Sequence, residues 1–83
     1  MSERLEDRIK RMIVERLFLT VTPESIGDGD NLMEVLGLDS IRLFEITIGL
    51  ESEFDVDLSK EDFDIANFAS VDKLAQVVRR LKG

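Results

Sequence analysis

Few side chains in this sequence can do chemistry, and one of them is well placed. Asp39-Ser40 follows a glycine turn, Leu36-Gly37-Leu38, and opens an apolar-periodic run that starts at Ile41. Gly37 supplies a permissive backbone, Asp39 is a strong N-cap residue, and Ser40 falls at the first helical position. Backbone N–H groups point outward there and the helix dipole is positive, which suits a phosphate group. Asp-Ser at a helix start is otherwise an ordinary cap. Ser40 also lacks an activator. The sequence has no histidine and no cysteine, which removes Ser-His and Cys-His pairs, disulfides and cysteine metal sites. No catalytic residue and no resident metal are expected. If Ser40 reacts, another enzyme must activate it, so the chain reads as a substrate or carrier and not as an enzyme.

The chain has 83 residues, enough for one domain over residues 1–83 with a thin core, burying only ~60–65% of its unfolded surface. It has no Trp or Tyr and five Phe, so that core is mainly aliphatic. Net charge is −7 and unevenly spread: residues 1–23 carry five basic and four acidic side chains, residues 24–64 thirteen acidic against Arg42 and Lys60, and residues 65–83 four basic against one acidic. No basic footprint for nucleic acid is present. The acidic middle suits electrostatic steering of basic partners. The start, Met1-Ser2-Glu3-Arg4-Leu5, lacks a signal-peptide core, and no apolar run approaches membrane-spanning length. A cytoplasmic protein without membrane insertion is expected.

The elements that must position Ser40 follow from periodicity. Residues 3–19 predict a first helix with a Leu5, Ile9, Met12, Ile13, Leu17 stripe, widened by Val14 and Phe18, capped by Ser2 and stopped by Thr20-Val21-Thr22-Pro23. A long connection runs to Leu38, with Ile26, Leu32, Val35 and Leu36 as plugs and Gly27-Asp28-Gly29-Asp30 as an exposed tip. Asp30 to Leu36 can form a helical turn or two, and the paired aspartates lack the spacing of a calcium loop. A second helix covers residues 40–54. At about 100° per residue it carries two apolar stripes: Leu43, Ile46, Leu50, Phe54, and Ile41, Phe44, Ile48, the second of which is either core as well or a docking strip beside Ser40. Arg42, Glu45, Gly49, Ser52 and Glu53 fall on the opposite side. Asp55 to Leu58 reads as an extended link with Val56 and Leu58 inward. Ser59 caps a short third helix that ends at Asn67 or Phe68, with Phe63 and Ile65 or Ala66 inward. Ser70 caps a fourth with Leu74, Val77, Val78 and Leu81 on one face and Arg79, Arg80 and Lys82 at its end. The fold expected is all-α, a four-helix bundle with a long first loop and a short third helix.

Leu36-Gly37-Leu38-Asp39-Ser40-Ile41 resembles the 4′-phosphopantetheine attachment motif of acyl carrier proteins, Leu-Gly-hydrophobic-Asp-Ser-hydrophobic. Pro23-Glu24-Ser25-Ile26, Glu51 through Phe54, and Ala69-Ser70-Val71 look like the family too, so the resemblance covers nearly the whole chain. It implies that a phosphopantetheinyl transferase esterifies Ser40 with an arm from coenzyme A, Asp39 assisting through a metal ion at that interface. The arm would carry acyl intermediates as thioesters in fatty-acid, lipid or polyketide-type biosynthesis. The acyl chain would be partly sheltered among Leu43, Ile46, Leu50, Phe54, Phe63 and Leu74. The second helix would recognise partners through Ile41, Phe44 and Ile48 together with Arg42, Glu45 and Glu51. Those partners would be loading, condensing and acyltransferase enzymes with basic patches, met by a monomeric carrier. Fatty-acid carriers usually place an acid where Arg42 stands, and acids often recur where this chain has Ser52, so the chain is either a specialised pathway carrier or one in which Arg42 is a tolerated surface residue bridging to a neighbour on the helix. Two other readings stand beside this one. One is a carrier of an amino acid or aryl group, against which Asp39 argues, since peptidyl carriers commonly have His there. The other is an unmodified acidic adaptor that docks basic proteins.

Overall fold

A computed structural model describes residues 4–58 and 68–82. It contains α1 (Leu5–Arg16), a 3-10 turn (Pro23–Ser25), α2 (Leu32–Val35), α3 (Ser40–Phe54) and α4 (Val71–Lys82). All regular structure among the described residues is helical, which bears out the all-α expectation. The short helix expected from Ser59 to Asn67 or Phe68 lies outside the described residues save for Phe68, which is helical and buried, and the Ser2 cap lies outside them too. No helix of the described residues is long and apolar enough to cross a membrane.

α1 and α3 run antiparallel. Arg16 lies 3.9 Å from Glu45, Gly49 abuts Met12 and Arg16, and the Arg8 guanidinium stands 4.8 Å from the centre of the Phe54 ring. The core between the helices is aliphatic as expected, with Ile9, Ile13, Leu43, Ile46, Leu50, Val71 and Leu74 fully buried. Val56 and Leu58 of the link also turn inward. Gly49 is not on a solvated side. A Cβ there would come within 2.6 Å of Met12 Sδ and 2.7 Å of Arg16 Cδ, so its small size leaves room for those two side chains of α1 to lie against α3.

The end of α1 departs from the sequence expectation. The helix stops at Arg16 because Phe18 adopts a left-handed φ of 54°. The Phe18 N–H then donates to Glu15 O and the Leu19 N–H to Val14 O at 3.0 Å, a Schellman closure whose left-handed position is usually glycine. Leu19 and Val14 pack partly against the core, as that motif favours. Phe18 does not widen the core stripe: it is 90% exposed.

The long loop is docked more tightly than its composition suggests. Ile26 and Leu32 are buried, and so is Leu38. Val35 is 52% exposed instead of plugging the core, because a one-turn α2 buries the side running from Leu32 through Met33 and Leu36. Asn31 caps that turn, its Oδ1 accepting from the Met33 and Glu34 N–H groups. Gly27 to Asp30 is not a free tip. Asp28 takes Arg4 Nη2 and Lys10 Nζ at 2.6 Å each, and its carbonyl accepts from the Asp72 N–H at the start of α4 at 2.8 Å. Lys10 and Arg4 together hold the Asp28 carboxyl below its usual range. The Leu32 N–H donates to Ala69 O, so the loop is pinned to α1 by charge and to α4 by backbone.

α4 starts with the Lys73 N–H bonded to Ser70 Oγ at 3.3 Å, the cap expected. Leu74, Val77 and Val78 are buried, while Leu81, in the last turn at the rim, is 37% exposed. Arg79 meets Glu6 at 3.0 Å and, as its main cause, lowers the pKa of that carboxyl. Lys82 reaches past its own helix to donate to Phe54 O at 2.9 Å, serving the dipole of α3.

Candidate functional site

Gly37, at φ 65°, turns the chain out of the loop, and buried Leu38 anchors that turn. Asp39 follows in extended backbone, and its Oδ1 accepts from the Arg42 N–H at 2.8 Å. Its carbonyl accepts the first helical bond, from the Leu43 N–H at 3.0 Å. Asp39 is thus the N-cap that the sequence predicts, and Ser40 is the first residue of α3. The cap satisfies one of the N–H groups orphaned at a helix start and leaves those of Ser40 and Ile41 facing outward. Ser40 is exposed.

The other described serines have different employment. Ser25 Oγ donates to Thr22 O at 2.7 Å, Ser70 Oγ caps α4, and Ser52 lies in the last turn of α3. Ser40 alone among them combines exposure with a position at the start of a long helix.

The two stripes of α3 separate, and the second is not core. Leu43, Ile46, Leu50 and Phe54 are buried, whereas Ile41 is 74%, Phe44 52% and Ile48 37% exposed. Thr47, between the stripes, is buried and its hydroxyl donates to Phe44 O at 2.6 Å. The structure gathers Ile41, Arg42, Phe44, Glu45 and Ile48 on the open side of α3, beside Ser40. Glu51 stands apart from them. Half-buried near the far end of α3, its Oε2 accepts from the Leu58 N–H at 3.1 Å, so it holds the link after the helix. Of the residues expected to shelter an acyl chain, Leu43, Ile46, Leu50, Phe54 and Leu74 form one buried cluster, and Phe63 lies outside the described residues.

One feature of the site was not legible in the sequence. Arg16, Leu17 and Phe18 from the end of α1 meet Ile41, Arg42 and Glu45 of α3 around an open groove of about 350 Å³. The signal that could have found it is a bulky apolar residue just past the last turn of α1, where glycine is the usual closure.

Chemically, the arrangement offers a nucleophile-bearing side chain to solvent at a positive helix end, within an apolar surface. It has no histidine to act as the base. No group of three or more potential metal-ligating side chains is present among the described residues. Comparison with known proteins agrees with this geometry. Residues 7–78 match the family model described as a phosphopantetheine attachment site. The chain is 35% identical over 63 residues to the acyl carrier proteins of Buchnera aphidicola subsp. Acyrthosiphon pisum strains Tuc7 and APS, an alignment covering 76% of each chain.

Proposed function

The chain belongs to the family of phosphopantetheine-attachment domains that includes acyl carrier proteins, and on that premise we propose that Ser40 bears the arm. One observation carries this: Ser40 is an exposed hydroxyl at the first position of α3, with its helix start already capped by Asp39. The residues fit the group. A phosphodiester on Ser40 would lie against the outward N–H groups of Ser40 and Ile41, at the positive end of the helix. When bound, the group supplies a terminal thiol that can hold an acyl cargo. The chain's part is to present Ser40 Oγ for bonding to phosphorus as one P–O bond of the coenzyme A diphosphate breaks and adenosine bisphosphate leaves. The hydroxyl proton passes to a base of the transferase, since the chain has no histidine. Asp39 would assist by facing a metal ion held at that interface.

The 83 residues act in this reading as one carrier domain, a cytoplasmic monomer that partner enzymes load and unload in fatty-acid, lipid or polyketide-type biosynthesis. Ile41, Phe44 and Ile48 form the docking strip, flanked by Arg42 and Glu45. Buried Leu43, Ile46 and Leu50 would shelter an acyl chain if the helices part slightly. Arg42 sets partner choice: it repels a basic patch and favours a partner with an acid at that point. The test is intact mass after incubating the apo chain with coenzyme A and a phosphopantetheinyl transferase. A single gain of one arm is expected, absent in Ser40→Ala. No gain with several transferases would refute the reading.

A further inference from the structure

The Phe18 ring takes no part in the buried core, although its backbone N–H closes α1. Its backbone is held at φ 54°, where a bulky L-residue is disfavoured by roughly 1–2 kcal/mol, and its ring is 90% exposed. Both features cost the isolated chain, and glycine at this position would remove both. Residues held in such strained backbone cluster at functional sites. The ring stands on the rim of the groove shared with Ile41 and Arg42, the two residues that follow Ser40. The Arg42 backbone N–H is used by Asp39, but among the described residues its guanidinium has no partner, whereas Arg16 leans on Glu45 at 3.9 Å.

We propose that Phe18, Ile41 and Arg42 form a two-helix docking corner for the transferase that modifies Ser40, with Phe18 as its aromatic anchor. This rests on the carrier reading. An enzyme that reaches Ser40 Oγ must cover Ile41 and Arg42, and the groove continues that footprint onto the end of α1. The complementary surface is an apolar recess for the Phe18 ring with a carboxylate at its edge for Arg42. An exposed aromatic beside an arginine whose guanidinium has no partner among the described residues is the kind of composition enriched at protein interfaces. The corner also explains why the closure of α1 forgoes glycine.

The experiment is steady-state modification of the full chain with coenzyme A and two purified, unrelated phosphopantetheinyl transferases, alongside thermal melts. Phe18→Gly should melt higher than the native chain, because it relieves the left-handed strain. With at least one transferase its KM should rise ~5-fold or more while kcat stays close to native, the loss expected for removing an interface anchor. Phe18→Tyr should keep the native KM. A variant more stable yet harder to modify cannot be explained as a folding defect. Unchanged KM with both transferases overturns the proposal. So does sedimentation showing that the native chain self-associates through Phe18 while KM is unaffected, since the ring would then serve a second copy. If neither transferase modifies the native chain at all, the carrier reading itself falls, which is a separate outcome.

Discussion

At the C-terminal end of α3, Phe54 is buried under the Arg8 guanidinium and its carbonyl is taken by Lys82. Nearby on α1, Glu6 is locked to Arg79 and Lys10 to Asp28. At the N-terminal end of the same helix, Ile41 and Phe44 face solvent, and Phe18 stands exposed across the groove. One end is riveted by paired charges on the first half of α1, while the other keeps apolar surface open around Ser40. A small domain has only a few kcal/mol in reserve. Concentrating fixed interactions away from Ser40 would let a partner dock at the open end, as proposed, without unravelling the bundle.

The contrast is sharpest within α3 itself. Leu50→Ala should leave a cavity in the closed core and cost ~2–5 kcal/mol, whereas Ile48→Ala should cost well under that and slow modification. Denaturant melts of both variants check this, and equal destabilisation would erase the distinction between the stripes.

The riveted end can be loosened directly. Asp28→Asn removes the partner of Arg4 and of Lys10, whose side chain is only 10% exposed. A loss of about 2–3 kcal/mol is expected, below the ~3–5 kcal/mol for breaking a fully buried pair, because Asp7 lies 4.0 Å from Lys10. Acid should mimic the change. Asp28 and Glu6 both titrate lower folded than unfolded, so their contribution is complete above about pH 4.5 and fades as pH falls through the folded values. Melting curves between neutral and strongly acidic pH should show native stability falling faster than that of Asp28→Asn.

A smaller effect is expected where the two ends join. Gly49→Leu should overpack the crossing of α1 and α3 and cost ~1–3 kcal/mol, even though a non-glycine residue favours helix. A variant as stable as the native chain would show that Met12 and Arg16 move aside freely.

Much of the fold was legible because its signals are local. The Asp39 cap, the bounds of α3, the burial of Leu43, Ile46 and Leu50, and the Ser70 cap all follow from residue type and spacing. What could not be read depends on distant partners. Glycine at position 49 says nothing of Met12 until α1 is laid across it. Asp28 reads as a solvated tip residue until Arg4 and Lys10 arrive from 24 and 18 positions away. Phe18 fits the helical stripe by spacing, and only the Schellman closure turns it outward. Residues expected at the site divide the same way: Ser40, Ile41 and Phe44 stand open as their positions imply, while Glu51 is drawn into a contact with Leu58 that no periodicity reveals.

The chain offers six serines to an incoming arm. Peptide sequencing by mass spectrometry after reaction with coenzyme A and a transferase tests the assignment to Ser40 most directly. The whole gain in mass should sit on Ser40 at the open end of α3, with Ser2, Ser25, Ser52, Ser59 and Ser70 unmodified. An arm found on any of those five, or a gain that persists in Ser40→Ala, would contradict it.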